Sequence, residues 1–216
     1  MGDSTQLTDL SIQAFLERLG SSDPVPGGGS AAALAAAMGA ALVAMVAELT
    51  IGRPAYAEHE ATVRHLRFDA LDRRTELLSL AHEDATAYDV VVRARHMPKD
   101  SEAERAARTD ALQKAMTEAA RIPLRAAVVA SEVLDLAERI APIGNRNAAS
   151  DAGVAAQLAA AGLHGALLNV RINLPYLADD DPLLQSAPAE ITRLEALATT
   201  GEQAAMAAVD KRLASK

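Results

Sequence analysis

A chain of 216 residues, half of them hydrophobic, can bury one sizeable core, so a single domain over 1–216 is the simplest organisation. Aromatic residues make up only 2 % of the chain and alanine dominates the apolar set, which favours close-packed helices over strands. The balance of 29 acidic against 21 basic residues gives a net charge of −8 and excludes indiscriminate attraction to nucleic acid or anionic membrane; the lack of cysteine excludes disulfides, thiolate nucleophiles and cysteine-ligated zinc.

Taken in chain order, helical periodicity and Pro/Gly punctuation predict a first helix at 5–19, with no secretory leader pattern before or within it. A cytoplasmic protein is expected on that ground. The second, at 30–50, follows PVPGGGS and carries no charge from Ala31 to Ala47. It is short of the ~20 strongly apolar residues of a membrane span, and Ala31 stands where a phosphate loop needs lysine. An all-round apolar, small-residue helix belongs instead at the centre of a bundle. Gly27, Gly28 and Gly29 at its entrance either let backbone amides approach a ligand or simply allow a tight turn.

The third helix, 55–94, carries the stripe Leu66, Ala70, Leu77, Ala81, Asp84, Tyr88 and Val91. Asp84 therefore faces inward, where a carboxylate needs a partner or a polar cavity. A fourth helix at 101–140 should be kinked or interrupted by Pro123. The fifth, 148–175, opens at PIGNRNAASDAGV, and helical steps from Asp151 give Ala155, Leu158, Gly162, Gly165, Asn169 and Asn173. That stripe is polar at both ends and small in the middle, suited to flanking a ligand or to close helix packing. A sixth helix at 181–213 completes an all-α multi-helix bundle around a central Ala-rich helix. The five histidines contain no i, i+4 pair and no HExxH, so no metal site is expected. The charge runs around Arg73 and from Glu102 to Arg108 read as solvated faces.

Six stretches in register carry a resemblance: PVPGGGSAAALAAAMGAALVAMVAELTIG ending at Gly52, RPAY (53–56), EDATAY (83–88), MPK (97–99), GNRNAASDAGVAA (144–156) and LLNVRINL (167–174). Together they resemble the formiminotetrahydrofolate cyclodeaminase and methenyltetrahydrofolate cyclohydrolase family. Arg53 stands where many relatives carry lysine. The resemblance implies an all-helical homodimer with its folate site in a cleft where subunits meet. It also implies a tetrahydrofolate derivative as substrate and no metal or redox cofactor. No nucleic-acid or membrane partner is implied, while separate folate-pathway enzymes are possible partners.

Two reactions are open: hydrolysis of 5,10-methenyltetrahydrofolate to 10-formyltetrahydrofolate, which is favoured, or deamination of 5-formiminotetrahydrofolate to the methenyl form. A noncatalytic folate-binding dimer is the contrasting reading. Both reactions move protons around a tetrahedral carbon between N5 and N10, work suited to carboxylates. Asp84, with burial raising its pKa, is the first candidate, and Asp151 at a helix start, where ionisation is favoured, the second. Asn145, Asn147, Asn169 and Asn173 could meet the pterin edge, with Gly28, Gly29 and Ser30 approaching through backbone groups. Arg53, Lys99 and Arg171 are expected partners of the glutamate tail, and Tyr56 and Tyr88 join the substrate-binding set from the matching stretches.

Overall fold

A computed structural model describes residues 7–214, and among them there are six α-helices, four short 3-10 turns and no strand. The helices are α1 (Ile12–Leu19), α2 (Gly28–Glu48), α3 (Glu60–Arg95), α4 (Glu102–Ile140), α5 (Ala149–Asn173) and α6 (Pro182–Ala214). The first helix is shorter than expected, because Leu7–Asp9 forms a separate 3-10 turn and Ser11 caps Ala14 N–H at 3.1 Å. Residues 5 and 6 of that predicted helix lie outside the described residues. Pro54–His59 is likewise a 3-10 turn rather than the start of the third helix.

The Ala-rich α2 is the centre, packed on α3, α4 and α5, with α6 covering α4 and α5. Together with the Arg146–Tyr176 stretch it is long and apolar enough to cross a bilayer, yet most of each apolar window is buried inside the bundle. Small residues set the spacing. A Cβ on Gly162 would come within 2.7 Å of the Ala32 carbonyl oxygen, and one on Gly39 within 2.8 Å of the Ala155 carbonyl oxygen. The α2 and α5 backbones therefore touch, and the middle of the α5 stripe serves packing. Gly162→Ala should lower unfolding free energy by ~1–3 kcal/mol in denaturant titration, the usual cost of overpacking.

Pro123 does not interrupt α4, which runs unbroken through it. Proline removes the N–H that would bond to the carbonyl four residues earlier, here Ala119. That carbonyl accepts Asn173 Nδ2 at 2.7 Å instead. The polar end of the α5 stripe thus replaces the bond that Pro123 cannot make. Asn173→Ala should destabilise the fold by ~1–3 kcal/mol, and less in a Pro123→Ala background, where the helix supplies its own donor.

Candidate active site

At the entrance of α2, Gly27 occupies the N-cap position and offers no side chain to the first-turn amides. The cap comes from another helix. The Asp84 carboxylate on α3 accepts the backbone N–H of Ser30 and meets the Ser30 hydroxyl, with Oγ 3.0 Å from Oδ2. A Cβ on Gly29 would lie 2.6 Å from the Asp84 carboxyl carbon, so glycine is required there by close approach. Burial pushes the Asp84 carboxyl above its ordinary range, against the opposing pull of the two Ser30 hydrogen bonds.

Ser30 Oγ is also 2.9 Å from the Ala81 carbonyl oxygen. A hydroxyl has one proton to donate. Given to Asp84, it suits a carboxylate; given to Ala81, it leaves the Ser30 oxygen to accept from a protonated Asp84. The pair accommodates both protonation states, as an acid–base residue requires.

Asp84 opens onto a cleft of about 370 Å³, a volume typical of small-molecule sites. Gly28, Tyr88, Arg95, Asn169 and Tyr176 are among its walls. Two of the chain's three tyrosines line this one cleft, which favours a flat, partly aromatic ligand. The Asn169 amide donates to the Gly165 carbonyl at 2.9 Å, leaving its oxygen for a ligand, and Asn173 closes the wall towards Ala119.

Of the residues singled out from sequence, Gly28, Gly29, Asp84, Tyr88, Asn169 and Asn173 meet at this cleft, with Ser30 behind Asp84. The others do not join them within one chain. Asp151 sits in the first turn of α5, eighteen residues before Asn169 and so about 27 Å away along the helix. Its carboxylate has no hydrogen bond or ion pair with another described residue.

Asn145 lies at that same far end, buried, with its backbone N–H donating to Thr50 Oγ1 at 2.7 Å and its side chain to the Leu49 carbonyl at 2.8 Å. Its Oδ1 accepts from the N–H of exposed Asn147, so its side chain ties the α2 and α4 ends together. The Tyr56 hydroxyl accepts from Arg146 N–H at 3.0 Å, with the Arg212 guanidinium 6.0 Å from the ring centre. Arg53 is exposed beside it, and Lys99 is exposed in the α3–α4 turn. Arg171 points to α6, paired with Glu195 at 2.7 Å. Arg95, Met116 and Tyr176 are among the cleft residues that sequence reasoning missed. The α3 stripe, continued one step beyond Val91, reaches Arg95.

Residues 11–191 match the family profile described as Formiminotransferase-cyclodeaminase. A methenyltetrahydrofolate cyclohydrolase of Methylorubrum extorquens is 46 % identical over 168 residues, covering 78 % of this chain and 81 % of the relative. The formimidoyltransferase-cyclodeaminase of Rattus norvegicus is 37 % identical over 83 % of this chain, which spans only 33 % of that longer protein. A crystal structure of formiminotetrahydrofolate cyclodeaminase from Thermotoga maritima superposes with a TM-score of 0.84 at 29 % identity, covering 96 % of this chain and 99 % of that one.

Proposed function

This chain belongs to the formiminotransferase-cyclodeaminase family, and on that premise we propose that it is a methenyltetrahydrofolate cyclohydrolase working at the Asp84 cleft. The observation that carries the reading is the half-buried Asp84, held by Ser30 in a cleft with two tyrosines and an arginine that has no ion-pair partner among the described residues. The Methylorubrum relative, 46 % identical and matched over 81 % of its own length, bears that activity in its name.

In the proposed reaction, water attacks the cationic carbon bridging N5 and N10, and Asp84 takes one of its protons as the C–O bond forms. The adduct then loses its hydroxyl proton to solvent. The C–N5 bond breaks, and Asp84 returns its proton to N5, leaving the formyl group on N10. The carboxylate also favours the cationic carbon electrostatically before attack. These steps need only proton transfer, with no metal or redox cofactor. The second reading, deamination of 5-formiminotetrahydrofolate with release of ammonia, is favoured by the whole-chain match to the Thermotoga protein.

We further propose that the active form is a homodimer with sites shared between subunits. Leu34, Met38, Leu42, Met45 and Leu49 form one apolar stripe along α2, and Met38 is 54 % exposed in the single chain. An all-round apolar helix left uncovered on one side calls for a partner surface. A two-fold axis near the middle of α2, with the helices antiparallel, sets the Gly28 end of one copy beside the Glu48 end of the other. That packing adds Asp151, Arg53 and Tyr56 of the second copy to the Asp84 cleft. Met38→Lys combined with Met45→Lys should halve the mass in analytical ultracentrifugation; an unchanged mass would remove this face as the interface.

Turnover is tested with two substrates. Methenyltetrahydrofolate absorbance should fall faster with enzyme than by spontaneous hydrolysis, and 5-formiminotetrahydrofolate should yield no methenyl absorbance. The opposite pattern favours the deaminase, and inertness towards both favours a noncatalytic folate-binding dimer.

A further inference from the structure

A smaller cavity of about 150 Å³ opens off the Asp84 cleft and shares Arg95, Met116 and Tyr176 with it. Arg108 and Gln113 from α4 complete its polar wall. Arg108 is fixed in place: its Nε and Nη2 donate to the Arg95 carbonyl at 3.2 and 3.1 Å. Neither Arg95 nor Arg108 has a carboxylate within ion-pair distance among the described residues. On a chain of net charge −8, eight of the other fifteen arginines are held in ion pairs, Arg73, Arg125, Arg171 and Arg193 among them. Two uncompensated cations around one small cavity form an anion site, and guanidinium matches a carboxylate bidentately.

We propose that this side cavity, walled by Arg95 and Arg108, receives the carboxylates of the glutamate tail while the pterin lies beside Asp84. The assignment rests on the folate reading above. Of the three tail residues expected from sequence, Arg171 is occupied by Glu195, and neither Arg53 nor Lys99 of the same chain lines either cavity. The direction also follows from chemistry. A pterin against the Asp84 carboxyl and a tail leading past Tyr176 places the apolar p-aminobenzoyl ring between them, along Met116.

The test compares equilibrium binding of tetrahydrofolate, which carries no one-carbon unit to react, and its tail-less counterpart, tetrahydropteroate, to the protein. Because the readout is affinity, it does not depend on turnover. Wild-type protein should hold the glutamylated ligand roughly 10-fold or more tighter, as expected for a charge-assisted carboxylate contact. In Arg95→Ala and in Arg108→Ala that preference should shrink to about 3-fold or less. Arg108→Lys, which keeps charge but loses the fork, should fall between wild type and alanine. Equal affinity of wild type for both ligands would overturn the assignment, as would variants that weaken both ligands in proportion. Turnover assayed on the same samples judges the enzymatic reading separately: a preserved preference without catalysis would sink that reading and keep the tail site.

Discussion

Asp84→Asn is expected to lower turnover of methenyltetrahydrofolate by ~10²–10⁴-fold, the usual worth of a positioned acid–base group. The folded protein should survive the change. Asparagine can accept the Ser30 N–H through its oxygen and donate to Ser30 Oγ, whose own proton then goes to Ala81.

The thermodynamic sign points the same way. The folded-state pKa of Asp84 lies above its unfolded value, so the native state binds that proton more tightly. Stability from this group is present at pH below the unfolded pKa and is lost as pH rises through the folded one. Wherever Asp84 is ionised it costs stability relative to its protonated form, a cost that a neutral asparagine avoids. Thermal unfolding at pH 7 should therefore show an equal or higher midpoint for Asp84→Asn beside its lost activity. A large fall in both would make Asp84 a structural residue. In wild type, the acidic limb of the kcat profile should lie above the ordinary carboxylate range. The charged or titratable neighbours lining the cleft are Tyr88, Arg95 and Tyr176; α2 and α5 bring only Ser30 and asparagines.

The second large effect is complementation. If Asp84 of one copy works with Asp151 of the other, Asp84→Asn and Asp151→Asn homodimers are each inactive, because both of their sites are defective. Mixed by unfolding and refolding, they form heterodimers with one intact site of two, and about a quarter of wild-type activity should return. Two aspartates acting within one subunit would leave every heterodimer site defective, and no activity would return. The single chain makes the outcome consequential, because α5 alone separates Asp151 from Asn169 by five turns.

Much of this was legible in the residues. The small, uncharged stretch of α2 favours a core helix over a membrane span, and the glycines at its entrance have a packing purpose that the sequence alone does not reveal. Gly29 is small so that the Asp84 carboxyl can cap α2. The α3 stripe located Asp84 and Tyr88, and the α5 stripe located Asn169 and Asn173. Arg171 is two residues, or 200° of helix, from Asn169 and so belongs to the opposite face, a point the same periodicity contained.

Other features required three dimensions. Tyr176 reaches the cleft because the chain turns through a 3-10 segment after Asn173. Arg108 sits in a charge run that resembles any solvated face until α4 is laid beside the end of α3. Pro123 was read by its local cost alone. Its compensation comes from Asn173, fifty residues later, and no local rule identifies such a partner.

The claim on which all else depends is that a reduced pterin reacts beside Asp84. A crystal structure of the protein with an unreactive tetrahydrofolate analogue tests it most directly. The account predicts N5 and N10 within hydrogen-bond or one-water reach of the Asp84 carboxylate, with Gly28 and Asn169 on the pterin. An analogue lodged only near Asp151 and Tyr56, with the Asp84 cleft filled by solvent, would contradict it.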